Sequence, residues 1–127
     1  MKGGTSAIRS FQDLVVWQKA RTLVKMIYHL TMRYPACERF GLALQTRRSA
    51  VSVPSNIAEG YGRGSLRDYI RFLQISRGSL NELLTQLILA VDLNYFSQRE
   101  MADVAAVVDD CSHLLRGLLH SLAEKDK

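Results

Sequence analysis

Proline and cysteine each occur only twice among the 127 residues of this chain, at Pro35 and Pro54 and at Cys37 and Cys111. So few prolines favour long helices over the many short, turn-punctuated strands of a β-sandwich. The cysteines have neither C-x-x-C spacing nor a neighbouring histidine pair, which argues against a disulfide scaffold and a zinc site. No stretch approaches the roughly 18 uninterrupted apolar residues of a membrane span, and Met1 to Phe11 contain no apolar run of the signal-peptide kind. A cytoplasmic protein without membrane contact is therefore expected. Catalytic signatures are also missing: there is no G-x-S-x-G turn, no H-E-x-x-H helix and no P-loop. Helix bundles that hold two metal ions need Glu-x-x-His pairs, and His29, His113 and His120 are not spaced from any glutamate in that way. We expect no enzyme, no metal and no cofactor.

What is present is an ordinary globular composition, 47% hydrophobic and 23% charged, in a length that suits one domain over residues 1–127. The net charge of +5 is unevenly spread. Residues 1–38 hold six Lys/Arg against two acids and residues 39–77 seven Arg against two, whereas residues 78–127 hold four bases against eight acids. A basic front and an acidic back either offer a surface to a polyanion or pair with each other, within one chain or between copies.

Apolar spacing predicts four helices. The first runs from an N-cap at Asp13 to Tyr34, stopped by Pro35, with Trp17, Ala20, Val24, Ile27, Thr31 and Tyr34 as its stripe. A second begins near Glu38 to Phe40 and continues towards Gly60, with Leu44, Ala50, Val51, Ile57 and Ala58 apolar and a kink or break expected at Pro54. Gly60-Tyr61-Gly62-Arg63-Gly64 reads as a loop needing positive φ angles. Ser65 then caps a third helix whose seam is Leu66, Tyr69, Leu73, Ser76, Leu80, Leu83, Leu87 and Ala90. The S-x-x-E box Ser97 to Glu100 opens a fourth, with Met101, Val104, Val108, Cys111, Leu115, Leu118 and Leu122 facing inward. Four stripes on short connections imply an all-α, antiparallel, up-and-down four-helix bundle.

Two polar groups stand apart from these seams. Gln45, Arg48, Ser52, Asn56 and Glu59 step by three and four along the second helix, flanked by apolar residues. They read as an internal or intersubunit network in which Arg47 or Arg48 reaches a carboxylate such as Glu59, or as a ligand-contacting row. Arg47, Arg63, Arg67, Arg71 and Arg77 form the candidate nucleic-acid surface, with Gln74, Gly78 and Asn81 continuing the helix-three face. The start of helix three beside Arg63 and Arg67 also suits a phosphate. Aromatics are sparse along this strip, so base stacking is not expected there.

The runs Phe11-x-Asp13-Leu14-x-Val16-Trp17-Gln18-Lys19-Ala20, Phe40-Gly41-Leu42-x-x-Gln45-x-Arg47-Arg48, Ser52-x-Pro54-Ser55-Asn56-Ile57-Ala58-Glu59-Gly60 and Arg77-Gly78-Ser79-Leu80-x-Glu82-Leu83 resemble a known family. It is the four-helix bundle family encoded in intervening sequences of bacterial 23S ribosomal RNA genes. Thr46 and Ser49 depart from its pattern, making the second helix more polar. Members resemble in turn the accessory protein of diversity-generating retroelements, a basic homopentamer that binds nucleic acid and a reverse transcriptase. That resemblance implies a homo-oligomer, a pentamer, with RNA, DNA or a protein as partner. The competing expectation is a purely structural protein–protein interaction module.

Overall fold

The computed structural model describes residues 7–126; Met1 to Ser6 of the leading stretch and Lys127 of the charged tail lie outside the described residues. Four helices follow one another: α1 Val15–Thr31, α2 Leu42–Tyr61, α3 Leu66–Asp92 and α4 Gln98–Lys125. Each packs against two others, in the ring α1, α2, α3, α4 and back to α1, and together they enclose one hydrophobic cluster. Among the described residues no helix is long and apolar enough to cross a membrane.

Local chemistry sets the helix ends. Asp13 is not the N-cap of α1: it closes a capping box with Ser10 around a short 3-10 turn, Phe11–Asp13, and α1 begins two residues later. Phe11 packs edge-on against Trp17 at 5.2 Å and the Gln18 amide donates to the Gln12 carbonyl at 2.9 Å, so the turn is fastened to the helix it precedes. At the end of α3, Asn94 takes φ 63, the Tyr95 N–H reaches the Ala90 carbonyl and the Asn94 N–H reaches that of Val91. These two bonds form a Schellman motif with asparagine in the usual glycine position. The Ser97/Glu100 box opens α4 as expected.

Lys19 near the start of α1 pairs with Asp110 midway along α4, and Arg33 just past the end of α1 pairs with Glu100 in the first turn of α4, so the two helices run in opposite directions. The second of these pairs is bidentate, with Arg33 Nη2 donating to Glu100 Oε1 at 3.1 Å and Nη1 reaching Oε2.

The α3 seam is buried from Leu73 through Ala90, with Leu66 and Tyr69 half-buried, and Ser79 joins it. In α4, Leu119 is buried and Leu118 only half-buried; in α1, Val16 and Leu23 are buried while Trp17 and Val24 sit at the rim. α2 departs most from expectation. Its buried face is Ala43, Thr46, Ser49, Ala50, Val53, Ile57 and Gly60, whereas Val51 is 40% exposed. The helix is unbroken through Pro54. An interior proline costs about 3 kcal/mol, which the tertiary packing of α2 on α1 and α3 offsets.

α2 and α3 meet across small residues. Ser52 and Ser79 share a hydrogen bond of 2.7 Å between hydroxyls, and Ser76 Oγ donates to the Val53 carbonyl at 2.8 Å. A Cβ on Gly60 would fall 2.7 Å from Phe72 Cβ. Gly60 therefore belongs to α2 as a contact point, not to the loop. Among the three glycines of the connection only Gly64 has a positive φ, 84. Contacting positions rise along α2 as they fall along α3, so these helices too run in opposite directions.

Two outcomes follow from this packing. Gly60→Ala should cost about 1–3 kcal/mol by overpacking, whereas Gly78→Ala on exposed α3 should gain about 0.5–1 kcal/mol. A new methyl at Gly78 meets nothing within 4 Å. Urea midpoints should thus move in opposite directions, and a stabilised Gly60→Ala protein would contradict the tight seam.

The second outcome concerns acid. Arg33 first and the Ser97 N–H next hold the Glu100 carboxyl down at about 2, from an ordinary value of 4.5. A depressed folded-state pKa stabilises fully above the unfolded value and is lost as pH falls through the folded one. Glu100→Gln should accordingly destabilise at pH 7, by a difference that shrinks below about pH 4.5 and vanishes near about pH 2. Chemical denaturation across that range reads it, and a pH-independent difference would contradict the pairing.

Candidate functional site

The polar row of α2 divides into two parts. Ser52 and Asn56 are half-buried at the α3 seam, where the Asn56 amide donates to the Ser52 carbonyl at 2.8 Å and to its hydroxyl at 2.9 Å, and Ser52 meets Ser79. These groups satisfy one another inside one chain. Gln45, Arg48 and Glu59 are exposed. Glu59 pairs with Arg63 one turn on, at 3.2 Å, and with neither Arg47 nor Arg48 of its own chain. Arg48 has no carboxylate partner among the described residues.

The loop and the start of α3 gather Arg63, Arg67 and Arg71 around Asp68. Arg63 lies 3.8 Å and Arg71 3.7 Å from its carboxylate, and both guanidiniums flank the Phe72 ring, at 5.1 and 4.5 Å. Ser65 Oγ already accepts the Asp68 N–H at 3.1 Å. The first turn of α3, expected to suit a phosphate, thus carries an acid of its own that takes two of the three nearby cations. Arg67 is exposed, Arg77 donates to the Gln74 amide oxygen at 3.3 Å, and neither has a carboxylate partner among the described residues.

Arg47 stands away from this group, between α1 and α2. Its Nε donates to Thr31 Oγ1 at 2.7 Å and its guanidinium lies 4.6 Å from the Tyr28 ring centre. Nearby, Arg39 lies 5.4 Å from the ring centre of Phe40. Sequence reasoning passed over Arg39, Tyr28 and Phe40. The available signal was two large apolar residues, Met32 and Phe40, flanking the Pro35 turn without a place in either helical stripe.

The turn that joins α1 to α2, next to Arg39, is fixed. The Glu38 carboxylate accepts from the Tyr95 hydroxyl at 2.6 Å and from the Leu42 N–H at 2.9 Å, and these bonds, in that order, hold its pKa below the ordinary range. The Tyr95 hydroxyl is pushed up to about 12, chiefly by donating to Glu38. Among the described residues no group of three or more His, Cys, Asp or Glu is placed to hold an ion.

A fold of this kind has solved counterparts. A protein of unknown function from the S23 ribosomal protein family of Bacteroides thetaiotaomicron superposes with a TM-score of 0.77 at 24% identity, over 83% of this chain and 98% of that one. At that identity the likeness speaks to the fold alone. No curated protein matches the chain. The family model described as 23S rRNA-intervening sequence protein matches residues 12–117, from the turn before α1 to well inside α4. The chain belongs to the 23S rRNA-intervening sequence protein family.

Proposed function

We propose that this chain is a non-enzymatic, cytoplasmic homo-oligomer that binds RNA or DNA through the phosphate backbone. One observation carries the reading. Residues 39–77 hold seven arginines, and the acids within reach engage only Arg63 and Arg71. Arg39, Arg47, Arg48, Arg67 and Arg77 keep their charge without a carboxylate among the described residues. An internal salt-bridge system would have consumed them; a polyanion-binding surface leaves them free. The acids of the back half lie elsewhere, several on α4, where Glu100 pairs with Arg33 just past the end of α1 and Asp110 with Lys19 of α1.

Self-association is supported by a second feature. Val51 on α2 and Ile75, Ile88 and Leu89 on α3 are exposed large apolar side chains on the same pair of helices, and the resemblance to the retroelement accessory protein points to five copies. Repetition around a ring multiplies the positive potential of one subunit and makes binding multivalent. The same apolar side chains also favour the competing reading, an interaction module without nucleic acid, so the two are separated by binding rather than by mass.

Arg67→Glu with Arg77→Glu should weaken binding of an RNA or DNA oligonucleotide at about 50 mM salt by tenfold or more, because reversing two phosphate-facing charges removes several counterion-release contacts. Helicity and subunit number by native mass spectrometry should be unchanged, since both side chains are exposed. If the parent binds no nucleic acid at low salt, the interaction-module reading replaces this one.

A further inference from the structure

The turn between α1 and α2 displays side chains that neither the core nor the α3 arginines use. Phe40 is 81% exposed and Met32 73%, the two most exposed large apolar side chains among the described residues. Phe40 does not hang from a loose loop. Glu38 fastens the turn to Tyr95 and to the start of α2. Within it the Arg39 N–H reaches the Ala36 carbonyl at 3.1 Å and the Gly41 N–H that of Glu38 at 3.0 Å. Gly41 permits this fold-back, because a Cβ there would lie 2.6 Å from Glu38 Oε1. Leaving so much apolar surface in water forgoes the stabilisation that burying a phenyl ring would give, and the pinned turn keeps the ring there.

Arg39, whose guanidinium lies 5.4 Å from that ring, walls a cavity of about 210 Å³ together with Thr31, Met32, Tyr34 and Arg47 among others; Phe40 does not line it, and the lining holds two cations and no acid. That is smaller than the roughly 300 Å³ at which small-molecule pockets begin, so it takes one group and not a whole cofactor. Arg47 is aimed by Thr31 through Nε, which leaves its terminal amino groups for an anion. Each cation comes with an aromatic ring, Arg47 with Tyr28 and Arg39 with Phe40.

We propose that this is a binding site for an unpaired nucleotide of a single-stranded nucleic acid, its phosphate between Arg39 and Arg47 and its base on Phe40. The proposal rests on the nucleic-acid reading above and adds to it a preference for single strands. Carboxylates alone would use the cations and leave the displayed ring unmet, whereas every nucleotide joins an anion to a base whose face stacks on an aromatic. A duplex keeps those faces covered and gains only the backbone contacts.

The test uses the full chain, a fluorescent single-stranded oligonucleotide, a duplex of equal length and a poly-glutamate peptide, with Phe40→Ala and Arg39→Gln as variants. Phe40→Ala should weaken single-strand binding about tenfold and leave duplex binding, helicity and subunit number unchanged; Arg39→Gln should weaken both nucleic acids. Should the parent bind both nucleic acids and Phe40→Ala alter neither, the site is wrong while the wider reading stands. Altered subunit number in Phe40→Ala would reassign the ring to a contact between copies, and poly-glutamate binding as tight as the single strand would reassign the cavity to peptide; either overturns the site. A parent that binds neither nucleic acid overturns both readings.

Discussion

The close approach of α2 to α3 is the constraint on which the remainder of the structure depends. Ordinary helix pairs keep axes 8–10 Å apart through interlocking aliphatic side chains. Here the contact is made by Ser52, Val53 and Gly60 against Phe72, Ser76 and Ser79, and hydroxyls bond across it to one another and to the Val53 carbonyl. Buried polar groups are costly unless paired, and in this seam they are paired within the chain. The same packing keeps α2 helical through Pro54.

A seam filled by small side chains has a consequence for the outer surface. With their short residues turned inward, α2 and the first half of α3 carry their long arginines outward, and few acids accompany them. Asp68 and Glu59 engage Arg63 and Arg71, and among the described residues no carboxylate pairs with the other arginines of residues 39–77. Across the bundle, α4 presents Asp103, Asp109 and Asp110 on its exposed side. The chain is therefore electrically lopsided, with these basic and acidic groups on different helices. The turn carrying Glu38, Phe40 and Gly41 adds an aromatic surface at the edge of the basic side.

How far the sequence foretold this varied with the kind of side chain that fills each interface. In α3 and α4 the core is leucine and valine at regular spacing, and periodicity placed both helices and their caps. Small errors of register, Leu118 for Leu119 and Trp17 for Val16, arise because a strict seven-residue reading drifts against 3.6 residues per turn. α2 was harder to read because its inward face is Thr46, Ser49 and Gly60, which hydropathy scores as exposed, while Val51 points outward. Its polar row was legible as unusual, and Ser52 and Asn56 do form a network, but their partner Ser79 lies on another helix. Pairing of arginines was not legible at all: whether Arg47 meets Glu59 or Thr31 depends on which helices become neighbours. The Glu38 to Tyr95 bond spans 57 positions and was beyond any local pattern.

If Arg39, Arg47, Arg48, Arg67 and Arg77 meet phosphates, as proposed above, binding must release counterions. The slope of binding affinity against salt, for the unmodified protein and a single-stranded oligonucleotide, tests it most directly. With about 0.7 counterions released per phosphate contacted on a single strand, five contacts give a log–log slope of roughly −3.5 for one subunit, steeper if neighbouring copies share the strand. A slope at or beyond that value is the predicted result. A slope near zero, or no binding at about 50 mM salt, would contradict it.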